Sequence, residues 1–414
     1  MAAIKKKIAV VNIFYPPKAL GGATRIVADE VSTIVKNYGD DYEVVVFTAD
    51  TDSTNVSKVN VYGYDGYRVY AISTPLTHET NWNSTNQKIA LVFAEFLAFE
   101  MPDLVHFHCI QALTGSVLEV TQKLNIPNVV TIHDAWWISD HQFLVDESGN
   151  IYPDGHPDLF LKSELRTGTT LEQSLLRKQY LKGLLRQSDA VLAVSETFTQ
   201  IYKNNGVLNI TTNENGISND INWGKKNTSY SNRVVCAHIG GMADHKGYKL
   251  FKQAVMELVQ KNIEVLVVDH QQPHDYVMKT CWGQTSVIII GRVEHENINT
   301  LYNKIDVIFA PSLCVESFGL VTREAVACCC WIVASNLGAI GENVSPRNGI
   351  KVAPSKDNLL TALREIDEAP KKFKGYASSG AIRYSSDQVK ELIEVFNKIL
   401  NKKSNLSESQ HHAE

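Results

Sequence analysis

The sequence predicts an α/β protein with two doubly wound parallel sheets, and three observations support this. Short apolar runs alternate with segments of helical periodicity, which is the pattern of parallel strands joined by helices. The alternation stops once, at 213–232, where Asn, Gly, Ser and Lys replace the apolar residues, and then restarts. The length of 414 residues is also too great for one ordinary domain.

This change in composition divides the chain into parts. We predict an N-terminal domain at 1–212, a linker at 213–232, a C-terminal domain at 233–385, a C-terminal helix at 386–402 and a flexible tail at 403–414. Packing of the C-terminal helix back onto the N-terminal domain is left open.

In the N-terminal part, apolar runs predict strands and 3.6-residue periodicity predicts the helices between them. The predicted strands are 7–14, 43–48, 67–72, 104–107, 128–132 and 190–194. The predicted helices are 24–37, 89–99, 112–124, 171–185 and 196–204. A long segment at 135–170 has neither pattern, and a loop of this length is usually functional or mobile.

The same alternation returns after the linker. The predicted strands are 233–239, 263–268, 286–290, 305–310, 331–334 and 349–352. The predicted helices are 248–260, 298–303, 318–329, 358–366 and 388–400. Two α/β units of similar size follow from this order.

Composition narrows the classes of function. The net charge of -5 offers no basic excess to neutralise phosphates, so we predict no nucleic-acid partner. The seven cysteines show no paired metal-ligand spacing, which favours a reduced cytoplasmic compartment. No apolar stretch approaches the roughly 20 residues of a membrane span. We expect a cytoplasmic protein; peripheral contact with the inner face of a membrane, and the oligomeric state, stay open.

Two acids, Glu316 and Glu324, stand at the junction between the strand at 305–310 and the helix at 318–329. Such a junction lies at the carboxyl edge of a parallel sheet, where ligands bind and helix N–H groups point outward. Eight residues span about 12 Å along a helix. The two carboxylates are therefore too far apart to share one small group, and they suit the two ends of a long ligand.

Two glycine turns follow the strands that open the two domains. Lys246 follows Gly240-Gly241, and a lysine near a helix N-terminus suits a diphosphate; the alternative is a solvated surface lysine. Gly21-Gly22 allows the backbone to approach a phosphate or a sugar, or is a tight connection that binds nothing.

Three histidines follow or lie in strands of the N-terminal domain. His133 ends the strand at 128–132 and precedes Asp134, at the sheet edge where ligands bind; the alternative is a structural histidine. His106 and His108 are two residues apart and share one strand face. With His133 they are a candidate metal set, but no further ligand at a known spacing supports it, and we predict no metal.

The stretch at 311–324 resembles the Glu-x7-Glu motif of the retaining glycosyltransferases usually numbered family 4, because Glu316 and Glu324 stand in the setting Pro-Ser…Glu-Ser-Phe-Gly. The resemblance spans most of the chain. Its other parts are Pro16-Pro17, Gly21-Gly22, His133-Asp134, Val194-Ser195-Glu196, Asn215-Gly216-Ile217, 240–247, 335–342 and Asn348-Gly349.

The resemblance implies the GT-B fold, in which two Rossmann-like domains face each other across a cleft. It implies that the C-terminal domain binds a UDP- or GDP-type nucleotide sugar and that the N-terminal domain takes a saccharide or lipid-linked acceptor. Transfer would retain the anomeric configuration, need no metal or cofactor, and serve surface polysaccharide or glycoconjugate biosynthesis.

The resemblance also implies roles for single residues. Glu316 would orient the hydroxyls of the donor sugar, Glu324 would hold the ribose, Lys246 would stabilise the leaving diphosphate, and His133 would contact the sugar. The remaining implied donor-binding residues are Gly22, Gly241, Phe318, Gly319 and Leu320. On the acceptor side we place Trp136 and Trp137, because aromatic faces stack on sugar rings and acyl chains.

Two departures from the family pattern stand out. Gly241 occupies the position where the family often has arginine, so one positive charge is missing unless Arg292 supplies it. Cys329-Cys330-Trp331 replaces a Gly-x-Pro turn. Two alternatives stay open: a nucleotide-sugar epimerase of the same fold, and a non-catalytic subunit that binds sugar nucleotides, which the missing charge makes plausible.

Overall fold

The computed structural model describes residues 5–18, 21–52, 58–155, 165–221, 231–378 and 380–411, without the side chains of His295 and 404–411. The first sheet contains β1 (Lys6–Val11), β2 (Tyr42–Asp50), β3 (Val59–Tyr64), β4 (Tyr67–Ser73), β5 (Leu104–Phe107), β6 (Asn128–Ile132), β7 (Ala190–Ala193) and β8 (Ile210–Thr212). The second contains β9 (Val234–His238), β10 (Ile263–Val268), β11 (Val277–Trp282), β12 (Thr285–Ile290), β13 (Val307–Ala310), β14 (Trp331–Ser335) and β15 (Gly349–Val352).

The helices lie between these strands in the chain. They are α1 (Gly21–Tyr38), α2 (His78–Trp82), α3 (Gln87–Glu100), α4 (Ser116–Lys123), α5 (Leu171–Gln187), α6 (Glu196–Asn204), α7 (Tyr248–Glu257), α8 (Ile298–Tyr302), α9 (Leu320–Ala327), α10 (Lys356–Glu368), α11 (Pro370–Phe373) and α12 (Ser385–His411). Short 3-10 turns occupy Asp244–Lys246, His295–Asn297 and Ala339–Gly341.

Unit 1 comprises Met1–Glu147, Asp154–Gly216 and Tyr384–Glu414. Its sheet has the order β3-β4-β2-β1-β5-β6-β7-β8. Its neighbouring strands pair in parallel except β3 and β4. The order reverses between β1 and β5, and such a reversal opens a crevice at the carboxyl ends of the strands.

Unit 2 comprises Ser148–Pro153 and Ile217–Arg383. Its sheet has the order β11-β12-β10-β9-β13-β14-β15, parallel except at β11 and β12. The central strands β9 and β13 are buried along their whole length, as expected for strands covered on both faces. Here the order reverses between β9 and β13.

The predicted fold class, α/β with two Rossmann-like sheets, is confirmed. The sequence analysis did not predict β3, β8, β11, α2 or α11. Strand β3 has no buried residue and β11 has only Trp282, so they lack the buried apolar runs from which the other strands were predicted.

Several boundaries differ from the predicted ones. Of the predicted linker at 213–232, residues 222–230 lie outside the described residues. Helix α12 contains the predicted helix at 386–402 and continues into the predicted tail as far as His411. The side chains of Val389, Leu392, Ile393 and Phe396 are buried in the core of unit 1. No helix in the described ranges is both long and apolar enough to cross a membrane.

A buried carboxylate at the end of α3 ties the edge of the first sheet together. Glu100 is 1% exposed. It accepts hydrogen bonds from Lys7 Nζ at 3.0 Å, from Arg68 Nε and Nη2 at 2.8 Å each, and from the Tyr70 hydroxyl at 2.5 Å. Burial alone would raise the pKa of Glu100, but the bonds from Arg68, Tyr70 and Lys7 lower it to about 2.

We expect Glu100→Gln to lower the free energy of unfolding of unit 1 by about 2–3 kcal/mol at neutral pH. A buried charged partner is lost, although Arg68 is half exposed and can be solvated. Because the pKa of Glu100 is depressed below the ordinary value of about 4.3, its contribution is present above that pH and is lost as the pH falls towards 2. Urea unfolding of both proteins at pH 7 and pH 3 measures the difference.

Glu95→Gln is the matched control, because Glu95 lies exposed on the same helix. It should change the unfolding free energy by less than about 0.5 kcal/mol. Equal effects of the two substitutions, or a Glu100 effect that does not shrink at pH 3, would contradict the prediction.

Candidate functional site

The loops after β9 and β13 carry two of the residues predicted to bind the donor, Lys246 and Glu316. Lys246 ends the 3-10 turn that follows β9, and Glu316 lies in the loop between β13 and α9. These two strands flank the point at which the strand order of unit 2 reverses. Both side chains therefore lie where ligands bind in open α/β sheets.

The structure joins these two side chains directly. Lys246 Nζ lies 2.6 Å from Glu316 Oε1, and the Ser312 hydroxyl donates to the same oxygen at 2.7 Å. The Cys314 thiol lies 3.7 Å from it. All three contacts are made to Oε1, and no described residue hydrogen-bonds to Oε2. The carboxylate is thus held at one oxygen and can accept a hydrogen bond at the other.

The pair is charged. Burial alone would raise the pKa of Glu316, but the charge and hydrogen bond of Lys246 hold it below its ordinary value. Burial alone would lower the pKa of Lys246, but Glu316 keeps it above its ordinary value. The side chains are 13% and 29% exposed respectively, so both still face solvent.

Two glycines allow the loops to approach this closely. A Cβ on Gly247 would lie 1.9 Å from the carbonyl oxygen of Pro311, and one on Gly338 would lie 2.3 Å from that of Glu316. Both glycines have positive φ, at 74° and 68°, which favours glycine. Ala339 N also donates to Glu316 O at 2.7 Å. The loop after β14 therefore fixes the backbone of Glu316.

The segment of Phe318, Gly319 and Leu320 forms the start of α9. Gly319 adopts a positive φ of 79°, and a Cβ there would meet Ile340 Cα at 2.8 Å. The guanidinium of Arg323 lies 4.2 Å from the centroid of the Phe318 ring and donates to Phe318 O and to Ala339 O. The N–H groups at the start of α9 thus project from a braced turn, as an anion site requires.

Glu324 lies deeper in the protein than Glu316. It is 1% exposed, and its Oε2 accepts a hydrogen bond from the Tyr302 hydroxyl at 2.7 Å. Tyr302 ends α8 and is itself buried. The second acid of the motif is therefore held by a tyrosine that the sequence analysis did not single out.

The other predicted donor-side residues are placed as follows. Gly241, with φ of 94°, has open space where a Cβ would lie, apart from His270 at 3.8 Å. Arg292 is exposed and its Nε lies 3.6 Å from Glu294 Oε1; no described contact ties it to Lys246 or Glu316. Gly22 is exposed in the first turn of α1, in unit 1.

His133 follows β6 and belongs to a line of buried histidines in unit 1. Its Nε2 lies 3.0 Å from His108 Nδ1. Burial is the main cause that lowers the pKa of His133 to about 3, and the neighbouring His108 lowers it further. Burial likewise lowers the pKa of His108 to about 4. Both rings are therefore neutral at physiological pH and act as hydrogen-bonding groups.

The two predicted acceptor-side tryptophans are covered. Trp136 and Trp137 are each 2% exposed. Trp136 donates through Nε1 to Asn81 O at 2.6 Å, and the guanidinium of Arg177 lies 4.8 Å from its ring centroid. Their rings meet edge to face at 5.3 Å. Both indoles are therefore largely covered in this structure, and the acceptor role assigned to them stays a prediction.

Several contributors were not predicted from the sequence: Ser312, Tyr302, Arg323 and, beside the histidines of unit 1, Glu30. The contact of Ser312 could have been predicted from the sequence, because a serine four residues before a glutamate in the same loop can reach its carboxylate. Tyr302 and Glu30 carry no local signal, since their partners lie 22 and more positions away.

Two such units define the GT-B fold class. Solved structures that match almost the whole length of this chain have the same fold. Sucrose-phosphate synthase from Thermosynechococcus elongatus is 17% identical, with 99% of this chain and 100% of that chain covered and a TM-score of 0.65. Anabaena Alr3699/HepE in complex with UDP and glucose is 17% identical, covering 95% and 99%, with a TM-score of 0.64. The catalytic domain of Starch Synthase IV from Arabidopsis thaliana, bound to ADP and acarbose, is 13% identical, covering 96% and 99%, with a TM-score of 0.61.

Family models name the group within that class. Residues 20–220 match Glycosyltransferase Family 4, and residues 233–367 match Glycosyl transferases group 1. The chain belongs to the group 1 glycosyltransferases, as the Glu-x7-Glu resemblance implied.

Curated relatives match over shorter stretches. The uncharacterized glycosyltransferase MJ1178 of Methanocaldococcus jannaschii is 21% identical over 272 residues, which are 62% of this chain and 63% of that protein. Glycogen synthase of Mycobacterium tuberculosis is 32% identical over 100 residues, 24% of each chain. The matched region thus spans less than two thirds of each of these relatives.

We expect Gly338→Ala to destabilise unit 2 by about 2 kcal/mol. The new methyl group collides with the backbone of Glu316, and alanine disfavours the positive φ. A fall of roughly 4–8 °C in the melting temperature measures this.

Gly240→Ala is the control, because Gly240 lies in the same unit with open space for a Cβ and no positive φ. It should leave the melting temperature within about 2 °C of the wild type. A Gly338→Ala protein as stable as Gly240→Ala would show that the close approach to Glu316 is not needed.

Proposed function

We propose that this chain is a retaining glycosyltransferase that moves a sugar from a nucleotide-sugar donor, of UDP or GDP type, to a saccharide or lipid-linked acceptor. We assign the donor to unit 2 and surface polysaccharide or glycoconjugate synthesis as the pathway class. The observation that carries the proposal is the ion pair between Lys246 and Glu316 at the reversal of strand order in unit 2.

The pair suits the two polar ends of a sugar diphosphate. Glu316 Oε1 is occupied by Lys246 and Ser312, so Oε2 is the oxygen that we assign to a hydroxyl of the donor sugar. The Lys246 ammonium has three N–H donors and uses one for Glu316. We assign the other two to the diphosphate.

Departure of a nucleotide leaves negative charge on the diphosphate, and the reaction accelerates when fixed positive groups already face that charge. Lys246 and the N–H groups at the start of α9 are such groups. Their preorganisation supports transfer without a metal at the donor. It also offsets part of the charge lost where Gly241 replaces arginine.

The choice of donor class draws support from the similar structures. Anabaena Alr3699/HepE was solved with UDP-glucose, and a trehalose-6-phosphate enzyme from E. coli was solved with UDP-2-fluoro glucose. By analogy we propose a uridine diphosphate sugar here, and the guanosine alternative rests on the family resemblance alone. Retention of configuration is proposed on the same footing.

Fewer observations support the proposed compartment and the proposed acceptor. None of the seven cysteines forms a disulfide bond in the described structure, which supports a reducing, cytoplasmic setting. A lipid-linked acceptor would bring the protein to the inner face of a membrane as a peripheral enzyme. His133 keeps its predicted role of contacting the sugar, and Gly22 keeps its place in the donor set, both as predictions.

We expect Glu316→Gln to lower kcat by about 10²–10³-fold or more while the fold is kept, because an amide cannot carry the charge that pairs with Lys246. Initial rates with a panel of UDP- and GDP-sugars, and NMR of the anomeric proton in the product, measure transfer and stereochemistry. Inverted product would refute retention, and free epimerised sugar would identify an epimerase.

Glu257→Gln is the matched control. Glu257 Oε1 lies 2.7 Å from Lys356 Nζ in an exposed pair of the same unit, and loss of such a pair costs little. It should transfer sugar at the wild-type rate. Near-normal transfer by Glu316→Gln would contradict the role assigned to Glu316 in the transfer reaction. Tight binding of a nucleotide sugar without turnover by the wild type would favour a non-catalytic binding subunit.

We expect Glu324→Gln to raise the KM for the donor by about tenfold with a smaller change in kcat, because the proposed ribose contact is made equally in the ground and transition states. Tyr302→Phe should act in the same direction but more weakly, since it removes only the hydroxyl that holds Glu324. Donor saturation curves separate the two constants. A fall in kcat with unchanged KM would place Glu324 at the reacting sugar instead.

A further inference from the structure

Three buried side chains of unit 1 point their polar atoms at one another. Glu30 lies on α1, His106 lies on β5, and His108 follows β5 directly. Each side chain is at most 1% exposed. Glu30 Oε1 lies 3.1 Å from His106 Nδ1 and 3.4 Å from His108 Nε2. None of these three atoms has a hydrogen-bond partner in the described chain.

The other polar atoms of the same side chains are all engaged. His106 Nε2 lies 2.8 Å from the Thr131 hydroxyl, and His108 Nδ1 lies 3.0 Å from His133 Nε2. Gln388 Nε2 donates to Glu30 Oε2 at 3.3 Å. Only the inward atoms are left without partners. Buried polar atoms are rarely left so, and an ion or a water commonly explains such a group.

The spacing distinguishes these explanations. Zinc binds histidine nitrogen and carboxylate oxygen at about 2.0–2.2 Å, and tetrahedral ligands at that bond length lie about 3.3 Å from one another. The observed separations of 3.1 and 3.4 Å bracket that value. Hydrogen-bonded N–H···O pairs span about 2.7–3.2 Å, a range that the 3.4 Å separation of His108 Nε2 from Glu30 Oε1 exceeds.

The outward contacts also prepare the rings to ligate a metal. With its proton on the nitrogen that faces Thr131 or His133, each ring presents a lone pair inward. Ligating histidines are usually oriented by such a bond on the second nitrogen. A fully buried carboxylate also needs a countercharge, and no lysine or arginine of the described chain forms an ion pair with Glu30.

We propose that Glu30, His106 and His108 form a binding site for a divalent transition-metal ion of the zinc class. Two imidazoles and one carboxylate are a donor set that zinc accepts. One water completes four-coordination, since the second oxygen of Glu30 is engaged by Gln388. The burial of the ligands makes this a structural site that joins α1 to β5, and it does not depend on the proposed transfer reaction.

The test uses the full chain. The purified protein is stripped with a chelator, titrated with zinc or cobalt chloride, and measured for metal content, thermal stability and cobalt absorption. We expect a single zinc ion per chain, a melting temperature that rises on adding zinc, and the intense visible bands of four-coordinate cobalt. Glu30→Gln should lose all three signals.

Two controls guard against adventitious binding and misfolding. Cys281→Ser removes an exposed thiol, and Glu100→Gln removes a different buried carboxylate of unit 1; both should keep the zinc. If Glu30→Gln does not fold, Thr131→Val serves in its place, because loss of the bond to His106 should weaken zinc binding by about 10–100-fold.

Two outcomes overturn the proposal. The first is a stripped wild-type protein that neither binds zinc nor gains stability from it. The second is zinc that is lost in Cys281→Ser but kept in Glu30→Gln, or an affinity unchanged in Thr131→Val. In each case the cluster is a hydrogen-bonded histidine–carboxylate group without metal.

Discussion

The ion pair between Lys246 and Glu316 is the constraint on which unit 2 depends. A carboxylate that is mostly buried is unfavourable without a countercharge, and Lys246 provides it from the neighbouring loop. The two loops can meet only because β9 and β13 are adjacent and run in the same direction. The reversal of strand order thus does more than open a crevice. It brings a cation and an anion of distant sequence to one edge of the sheet.

The same constraint explains why part of the site could be predicted from the sequence. Glu316 and Lys246 lie in the loops that follow apolar strands, and the carboxyl end of a parallel strand has a known place in this fold. Ser312 lies in the same loop. Tyr302 and Glu30 depend instead on which helix packs against which strand. Periodicity shows that a helix has a buried face, but it does not say which side chain across the core that face will meet.

The burial of each strand explains why some elements of the fold were predicted from the sequence and others were not. Strands covered on both faces are continuous apolar runs, so β1, β9 and β13 were recognisable. The antiparallel edge strands β3 and β11 bury almost none of their residues and were not. Trp136 and Trp137 were assigned to the acceptor side because an aromatic pair in a long loop suggested a binding surface, and that role stays a prediction. The ring faces are instead covered inside unit 1, where Arg177 of α5 stacks against Trp136, and composition alone carries no information about that packing.

Backbone hydrogen bonds join the loops that carry Lys246 and Glu316. Leu313 N donates to His245 O at 2.7 Å, and Ala339 N donates to Glu316 O at the same distance, so three loops are joined by backbone bonds. Arg323 braces the turn at Phe318 from behind. Because binding must otherwise order each mobile group at a free-energy cost, a prebuilt frame leaves more of the interaction energy for holding the ligand. It also keeps the carboxylate and the ammonium in the positions that charge stabilisation requires, since preorganised groups need no rearrangement as charge develops.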